Sequence, residues 1–180
     1  MKKNAILFSA SNYEKSSLIR ADDLPGVKYD IHAMYKRLIQ IGFEVKQIEN
    51  VSKDQIIPAL EDNASNSPCD AIHIVYFTGH GGHANGNNYI YPIDFASRFD
   101  TSKDIETSAM NIRDIISIYK GKGRLILILD ACRSDFESSK GYYSEITAAE
   151  DVYIAYGTQF QHTSIGISNE MSPFTKAICD

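Results

Sequence analysis

The sequence has no tryptophan, only three cysteines and no excess of positive charge. Its 180 residues include 18 Lys and Arg against 23 Asp and Glu, which gives a formal net charge of −5. This balance provides no basic surface for nucleic acid or anionic lipid, so we expect neither as a partner. Hydrophobic residues at 43% and charged residues at 23% are typical of one ordinary globular domain.

Long apolar segments are also missing. The N-terminal apolar run, residues 5–8, is shorter than the roughly 7–15 residues in the apolar core of a signal peptide. No stretch approaches the roughly 20 apolar residues of a membrane span, so we expect no membrane association. Cys69, Cys132 and Cys179 are odd in number and lack the spacing of a metal motif, which is typical of a reducing compartment. We therefore predict a cytoplasmic protein.

Strand-like and helix-like runs alternate along the chain. Residues 71–77 and 125–129 are near-continuous apolar runs, typical of parallel strands buried on both faces. In residues 28–42 the apolar positions recur at helical spacing until Gly42, which predicts an amphipathic helix. Further strands are predicted at residues 6–8, 43–48 and 152–156, and a further helix at residues 112–119. Ser52 and Gln55 have the spacing of a capping box that begins another helix, and Ser172 caps a last helix with Pro173 in its first turn. The alternation predicts an α/β fold with a mostly parallel central sheet between layers of helices.

The remaining segments predict turns and loops. Residues 79–88 are rich in Gly and Asn, and residues 89–91 form one arm of a small predicted hairpin. Residues 133–150 are polar and are predicted to form a long loop. His73 lies within a predicted strand, and we interpret it as a core residue whose hydrogen bonds are satisfied.

Two chemically distinctive residues follow the two central strands. In parallel α/β sheets the ligand site lies beyond the carboxyl ends of the strands. His80 follows the first of these strands between glycines, and Cys132 follows the second. Because consecutive buried strands are usually neighbours, we expect the two side chains to face each other. A base beside an accessible thiol suits nucleophilic catalysis, and the N–H groups of Gly81 and Cys132 are candidate donors to an oxyanion.

Each of these residues also has a less specific interpretation. A cysteine after a buried strand is usually a small core residue, and a histidine between glycines is often only part of a turn. His80 and His83 with Asp130 or Cys132 are also a candidate metal set, because imidazole, carboxylate and thiolate all bind zinc. Three functions stay open at this point: a cysteine hydrolase, an interaction module and a metal-dependent hydrolase.

Several segments, in order along the chain, resemble the caspase-like cysteine peptidases, and metacaspases and prokaryotic caspase homologues more closely than animal caspases. They read DIHAM (30–34), GFEV (42–45), YFTGHG (76–81), NYIYPID (88–94), ILDACRS (128–134) and SPFTKA (172–177). Cys132 follows His80 by 52 residues, close to the roughly 50 that separate the corresponding residues in caspases. The resemblance implies a single domain over residues 1–180, folded as a three-layer αβα sandwich.

The resemblance also implies the roles of the two central residues. In this family the histidine is the general acid and base, and the cysteine forms an acyl-enzyme with a peptide carbonyl. His80 and Cys132 would then be the catalytic residues of a cysteine endopeptidase, with a protein or peptide as substrate. By the same analogy the protein acts in prokaryotic defence or regulated cell death. The alternative is a caspase-like interaction module with little turnover, regulated by a partner domain.

The substrate pocket differs from that of animal caspases, which cleave after Asp. Those enzymes have Gln two residues before the catalytic cysteine and Arg two residues before the glycine that matches Gly26, where this chain has Asp130 and Leu24. With Asp30 and the Thr78 hydroxyl, Asp130 resembles the acidic pocket of metacaspases, which implies cleavage after Arg or Lys. A simpler interpretation is that Asp130 caps the following turn and Asp30 a helix start.

Residues 133–150 correspond to the segment that separates large and small subunits in caspase-like chains. Arg133 and Lys140 lie there, and both suit an acidic pocket. We predict self-cleavage after Lys140, the more distant from Cys132, and an uncleaved surface loop is the alternative. Many metacaspases require calcium, which stays open here. The segment after His80 carries asparagines rather than the carboxylates that calcium prefers, so we predict no cofactor and no metal site.

The C-terminus raises the question of completeness. In the family the sheet and the pocket wall continue past the helix that begins at Ser172, whereas this chain ends at Asp180. We therefore expect the domain to be truncated at its C-terminal end. A regulatory domain or activating partner is expected to act on it.

Overall fold

Strands and helices alternate along the chain, as the sequence predicts. The computed structural model describes residues 1–13, 23–65, 67–95, 102–131, 134–135, 151–157 and 170–180. The strands there are β1 (Lys3–Ser9), β2 (Glu44–Ile48), β3 (Ile72–Thr78), β4 (Gly81–Ala84), β5 (Asn87–Ile90), β6 (Met110–Asn111), β7 (Arg124–Asp130), β8 (Ser134–Asp135) and β9 (Val152–Tyr156). The helices are α1 (Val27–Gln40), α2 (Lys53–Ser65), α3 (Ser102–Ser108), α4 (Ile112–Ile118) and α5 (Pro173–Cys179).

The central sheet has five strands in the order β2-β1-β3-β7-β9, and every neighbouring pair is parallel. A smaller sheet, in the order β6-β5-β4-β8, lies beyond the carboxyl end of β3. Within it, β4 and β5 form an antiparallel hairpin, and β8 pairs with β4 in parallel. The crossover from one parallel strand to the next brings the carboxyl ends of β3 and β7 to the same edge, as predicted.

The two faces of the central sheet carry two separate hydrophobic clusters. Successive residues of β1 alternate between them: Leu7 belongs to the cluster with α1, and Phe8 to the cluster with α2 and α4. On the first face α5 also packs beside α1, through Phe174. Helices thus cover both sides of the sheet, and the predicted αβα sandwich is confirmed.

Helix α1 shows why the predicted helical segment folds as it does. Its buried side chains, among them Ile31, Met34 and Leu38, recur at spacings of three and four residues and face the sheet. The helix ends where the Phe43 N–H donates to the Leu38 carbonyl and the Gly42 N–H donates to the Ile39 carbonyl. This is a Schellman motif, and Gly42 supplies its left-handed residue with a φ of 85°.

The start of α2 forms only half of the predicted capping box. The Ser52 N–H donates to the Gln55 side chain (3.1 Å), as the motif requires. The Ser52 hydroxyl donates to Asp54 instead, and the Gln55 N–H donates to the Ser52 carbonyl oxygen. Pro58 lies inside α2 without ending it, because the helix continues to Ser65.

Some predictions for the connecting segments need correction. The residues predicted as a loop at 133–150 include the short strand β8, and the remainder of that segment lies outside the described residues. His73 is buried as predicted, and its Nε2 lies 3.1 Å from the Lys122 carbonyl oxygen, but its Nδ1 has no hydrogen-bond partner among the described residues. The prediction of a fully satisfied histidine is therefore wrong for one ring nitrogen. None of the described helices has the length and apolar character needed to cross a bilayer.

Candidate active site

His80 lies just beyond the carboxyl end of β3, in the two-residue link to β4. The preceding Gly79 N–H donates to the Asp130 carbonyl oxygen (3.2 Å), which ties the link to β7. A Cβ atom at position 79 would come within 2.8 Å of the Phe77 ring and 3.1 Å of the Ala10 carbonyl oxygen. Only glycine fits there, so the backbone can turn tightly and present His80 at the sheet edge.

Tyr13 holds His80 in place. Its hydroxyl accepts a hydrogen bond from the His80 N–H (2.8 Å) and donates one to the Tyr91 carbonyl oxygen (3.2 Å). The Tyr91 N–H in turn donates to the His80 carbonyl oxygen (2.9 Å). The rings of Tyr13 and His80 lie 4.9 Å apart between centroids. Sequence reasoning missed Tyr13 because it precedes His80 by 67 residues and carries no local motif.

The described residues on either side of Cys132 pair with the two flanks of His80. Before it, Asp130 pairs in register with Thr78, the last residue of β3. After it, the first residue of β8 pairs in register with Gly82 of β4. Cys132 itself lies outside the described residues. The described residues before and after position 132 therefore both lie beside the segment that carries His80.

The backbone N–H of Gly81 points toward the β8 side of β4. Gly81 pairs with Ile90 across the β4–β5 hairpin, and the hydrogen bond from Tyr91 to His80 lies just outside that pair. In an antiparallel ladder this pattern marks a non-hydrogen-bonded pair, whose N–H groups point away from the partner strand. The Gly81 N–H is therefore directed to the side on which the chain leaves position 132.

Asp30 and Asp130 lie together with Thr78 at the same sheet edge. Asp30 comes from the first turn of α1 and Asp130 from the end of β7, and each is only 5% exposed. The Thr78 hydroxyl donates to Asp30 (3.4 Å). Among the described residues, no Lys or Arg forms an ion pair with either carboxylate. The structure thus brings together the three residues predicted to form the substrate pocket.

Two residues at the start of α5 complete the surroundings of these carboxylates. The Ser172 N–H donates to Asp30 (2.6 Å), and the Ser172 hydroxyl donates to Asp130. The Thr175 hydroxyl also donates to Asp130 (2.8 Å), while its N–H donates to the Ser172 hydroxyl (2.9 Å). Sequence reasoning identified Ser172 as a helix cap but missed this second role, because the partners lie 142 and 42 residues away. The carboxylates therefore bind α5. Asp30 does not cap the start of α1, whose N-cap is Gly26, and the turn that Asp130 was expected to cap includes residues outside the described part of the chain.

Burial dominates the electrostatics of the two acids. It raises the pKa of Asp30 to about 6; the Ser172 N–H lowers this value and the nearby charge of Asp130 adds to it. Burial also raises the pKa of Asp130, against the lowering effect of the Ser172 and Thr175 hydroxyls. Charged carboxylates are costly in such a site without a cation. The pair is therefore suited to a positively charged group.

Several other predicted residues do not join this site within the described part of the chain. No three His, Cys, Asp or Glu side chains described by the structure could hold a metal ion, so His80 and His83 do not form a metal site with Asp130. Cys132, the other ligand proposed for this set, lies outside the described residues. Arg133 and Lys140, the residues predicted for self-cleavage, lie outside the described residues.

A comparison with known families addresses the whole chain. Residues 2–180 match the peptidase family C14, described as the caspase domain. A search of curated proteins found no match. The family match extends over the parallel sheet, the His80 link and the carboxylate pair. The chain therefore belongs to the caspase-domain family of peptidases.

Proposed function

We propose that this protein is a cysteine endopeptidase in which Cys132 is the nucleophile and His80 the general acid and base. The observation that carries the proposal is the strand pairing on both sides of position 132, with Asp130 beside Thr78 and β8 beside Gly82. This pairing supports a contact between the thiol and the imidazole. Membership of a peptidase family supports the same class of reaction.

In the proposed reaction, the Cys132 thiolate attacks the carbonyl carbon of the scissile peptide bond. His80 gives its proton to the leaving amine nitrogen as the carbon–nitrogen bond breaks, which leaves a thioester on Cys132. His80 then takes a proton from water, which attacks the thioester and releases the carboxylic acid product. The sulfur leaves as a thiolate. The proton that His80 took from water leaves it protonated, as it was at the start of the cycle.

The negative oxygen that forms in each step needs hydrogen-bond donors. We assign this role to the backbone N–H groups of Gly81 and Cys132. The direction of the Gly81 N–H, away from β5 and toward the β8 side, supports its part of the assignment. Fixed backbone donors are effective because they need no reorganisation as the charge develops.

The proposed specificity is for Arg or Lys before the scissile bond. Asp30 and Asp130 are buried acids without a described cation, and a substrate guanidinium or ammonium group would balance their charge. Leu24, where animal caspases have Arg, is partly buried against the hydrophobic core and offers no partner for a substrate Asp. Thr78 completes the proposed pocket through its hydrogen bond to Asp30.

The biological role is proposed from the family alone. We propose a cytoplasmic peptidase that a further domain or partner regulates, in prokaryotic defence or cell death. Self-cleavage after Lys140, with Arg133 as the second candidate, belongs to the same proposal. Mass spectrometry of active protein tests it: cleavage at Lys140 is expected, and an intact chain during turnover would show that processing is not needed.

A peptide panel tests the enzyme and its specificity together. The peptides differ only in the residue before the scissile bond, which is Arg, Lys, Asp or citrulline, a neutral analogue of Arg. We expect kcat/KM to be highest for Arg and Lys, and at least about 30-fold lower for citrulline because the charge is lost. A preference for Asp would overturn the pocket assignment.

Three variants serve as the controls. Cys132→Ala and His80→Ala should each lower kcat/KM by about 10³ or more, since each removes a member of the reacting pair. Cys69→Ala should leave it unchanged, because Cys69 is an exposed cysteine outside the site. Failure of the unmodified chain to cleave any peptide would contradict the enzyme and favour the interaction module.

A further inference from the structure

A chain of buried hydroxyl groups links the carboxylate pair to the middle of the central sheet. The Thr175 hydroxyl, which donates to Asp130, lies 2.7 Å from the hydroxyl of Tyr76 on β3. Tyr76 is fully buried. The Tyr76 phenol therefore contacts a hydroxyl group that donates to Asp130.

The direction of these hydrogen bonds follows from the number of available protons. When Asp130 is ionised its carboxylate can only accept, so the single proton of the Thr175 hydroxyl points to Asp130. The Thr175 oxygen must then accept the proton of Tyr76 in their shared hydrogen bond. Burial, with the charges of Asp130 and Asp30, raises the pKa of Tyr76 well above its ordinary value, so Tyr76 stays a donor. Both protons in the chain point toward Asp130.

We propose that Tyr76 and Thr175 are positioning residues that orient Asp130 and favour its charged form for a cationic substrate side chain. The inference rests on the proposed function, because it assigns the carboxylate pair to Arg or Lys. Hydrogen bonds in a chain polarise one another, so donation by Tyr76 makes Thr175 a stronger donor to Asp130. Loss of either hydroxyl should weaken substrate binding and leave bond breaking intact.

Other titratable groups also influence the pair. The charge of Asp130 raises the pKa of Asp30, and on α5 the Cys179 thiol interacts electrostatically with Asp30. Among these groups in the described part of the chain, Tyr76 is the one joined to Asp130 through the Thr175 hydroxyl. A change in the ionisation of Asp130 therefore distinguishes the loss of this hydrogen-bonded series of hydroxyl groups from a general loss of packing.

The test measures the carboxyl group directly. In ¹³C-labelled full chain without substrate, NMR follows the ionisation of Asp130 in the unmodified protein, Tyr76→Phe and Thr175→Val. Thr175→Ser keeps the hydroxyl and tests for rescue. Tyr119→Phe is the matched control, because Tyr119 is also buried and its hydroxyl donates to Asn63 (2.9 Å), outside the hydroxyl chain.

We expect the ionisation midpoint of Asp130 to rise by at least about half a pH unit in Tyr76→Phe and Thr175→Val, because a carboxylate loses hydrogen-bond support. Thr175→Ser and Tyr119→Phe should keep the original midpoint. With an Arg peptide near pH 7, KM should rise about three- to tenfold in the first two variants, and kcat should change less than about twofold.

Two results would overturn the inference. One is an Asp130 midpoint in Tyr76→Phe that equals that of Tyr119→Phe, which would assign Tyr76 to packing alone. The other is a fall in kcat with KM unchanged. If the unmodified chain cleaves no Arg or Lys peptide, the proposed function fails separately, and the NMR titration still decides whether Tyr76 and Thr175 control Asp130.

Discussion

Single residues with no sequence motif hold the histidine of this site. The Tyr13 hydroxyl accepts from the His80 N–H and donates to the Tyr91 carbonyl oxygen, so it joins the histidine link to the loop after β5. Gly79 makes the link possible by leaving no side chain between Phe77 and Ala10. The direction of the imidazole therefore depends on groups far from it along the chain.

Tyr13→Phe tests this dependence. It removes the partner of the His80 N–H and should lower kcat about tenfold, with KM changed less than about threefold, because the histidine loses its fixed position. The free energy of unfolding should fall by about 1–3 kcal/mol. Steady-state kinetics and urea unfolding measure both. Tyr29→Phe, at a residue 37% exposed on α1, is the control and should change neither; a kcat for Tyr13→Phe equal to that of the control would be contrary to this account.

The secondary-structure elements were predictable where one local pattern decides them. The apolar runs predicted β3 and β7, and the helical stripe with Gly42 predicted α1 and its end. The shorter elements β4, β6, β8 and α3 were not predicted, because a Gly-rich strand, two-residue strands and a short polar helix have no hydrophobic period. Pairing with distant strands decides them.

The site shows the same division between local and distant information. The sequence placed His80 and Asp130 at strand ends, because each follows an apolar run. The order of the two runs along the chain also predicted that β3 and β7 are neighbours. It did not reveal the second role of Ser172, whose contacts with Asp30 and Asp130 depend on how α5 docks beside α1. A capping motif predicts a helix start but not the acids that the helix will meet.

Ser172→Ala tests the docking of α5. The change removes both the cap of the Thr175 N–H and a hydroxyl donor to buried Asp130, so we expect a loss of about 2–4 kcal/mol in the free energy of unfolding. Asn111→Ala is the matched control, because Asn111 caps α4 through the Arg113 N–H without contacting a buried acid. It should cost about 1 kcal/mol. Equal losses in urea unfolding would contradict a special role for Ser172.

For the molecule as a whole, the charged carboxylates that the proposed pocket needs for its function lower the stability of the fold. The same burial that raises the pKa of Asp30 and Asp130 makes their charged forms unfavourable in the folded chain. A cationic substrate needs those charged forms. We therefore expect the folded chain to hold protons at this site that substrate binding releases.

Asp30→Asn tests this conflict. The pKa of Asp30 is about 6 in the folded chain against an ordinary value of 3.8, so its stabilising contribution is present below about pH 4 and is lost as the pH rises through about 6. Such a shift corresponds to roughly 3 kcal/mol at most. Relative to the unmodified chain, Asp30→Asn should gain on the order of 1–3 kcal/mol between pH 4 and pH 7.5 in urea unfolding. Asp62→Asn, at an exposed partner of Lys46, is the control. The prediction is refuted if the difference in unfolding free energy from the unmodified chain does not change with pH in either variant.

The reactivity of Cys132 tests the central claim, that its thiol and the His80 imidazole form one reactive pair. The full chain is treated with iodoacetamide at pH 6 and pH 8, and mass spectrometry measures the alkylation rate of each cysteine. We predict that Cys132 reacts at least about tenfold faster than exposed Cys69 at pH 6, since a neighbouring imidazolium stabilises its thiolate, and that His80→Ala removes this advantage. Cys179, whose pKa is raised by burial, should react slowest. Equal rates at Cys132 and Cys69, or an advantage that survives His80→Ala, would contradict the pair.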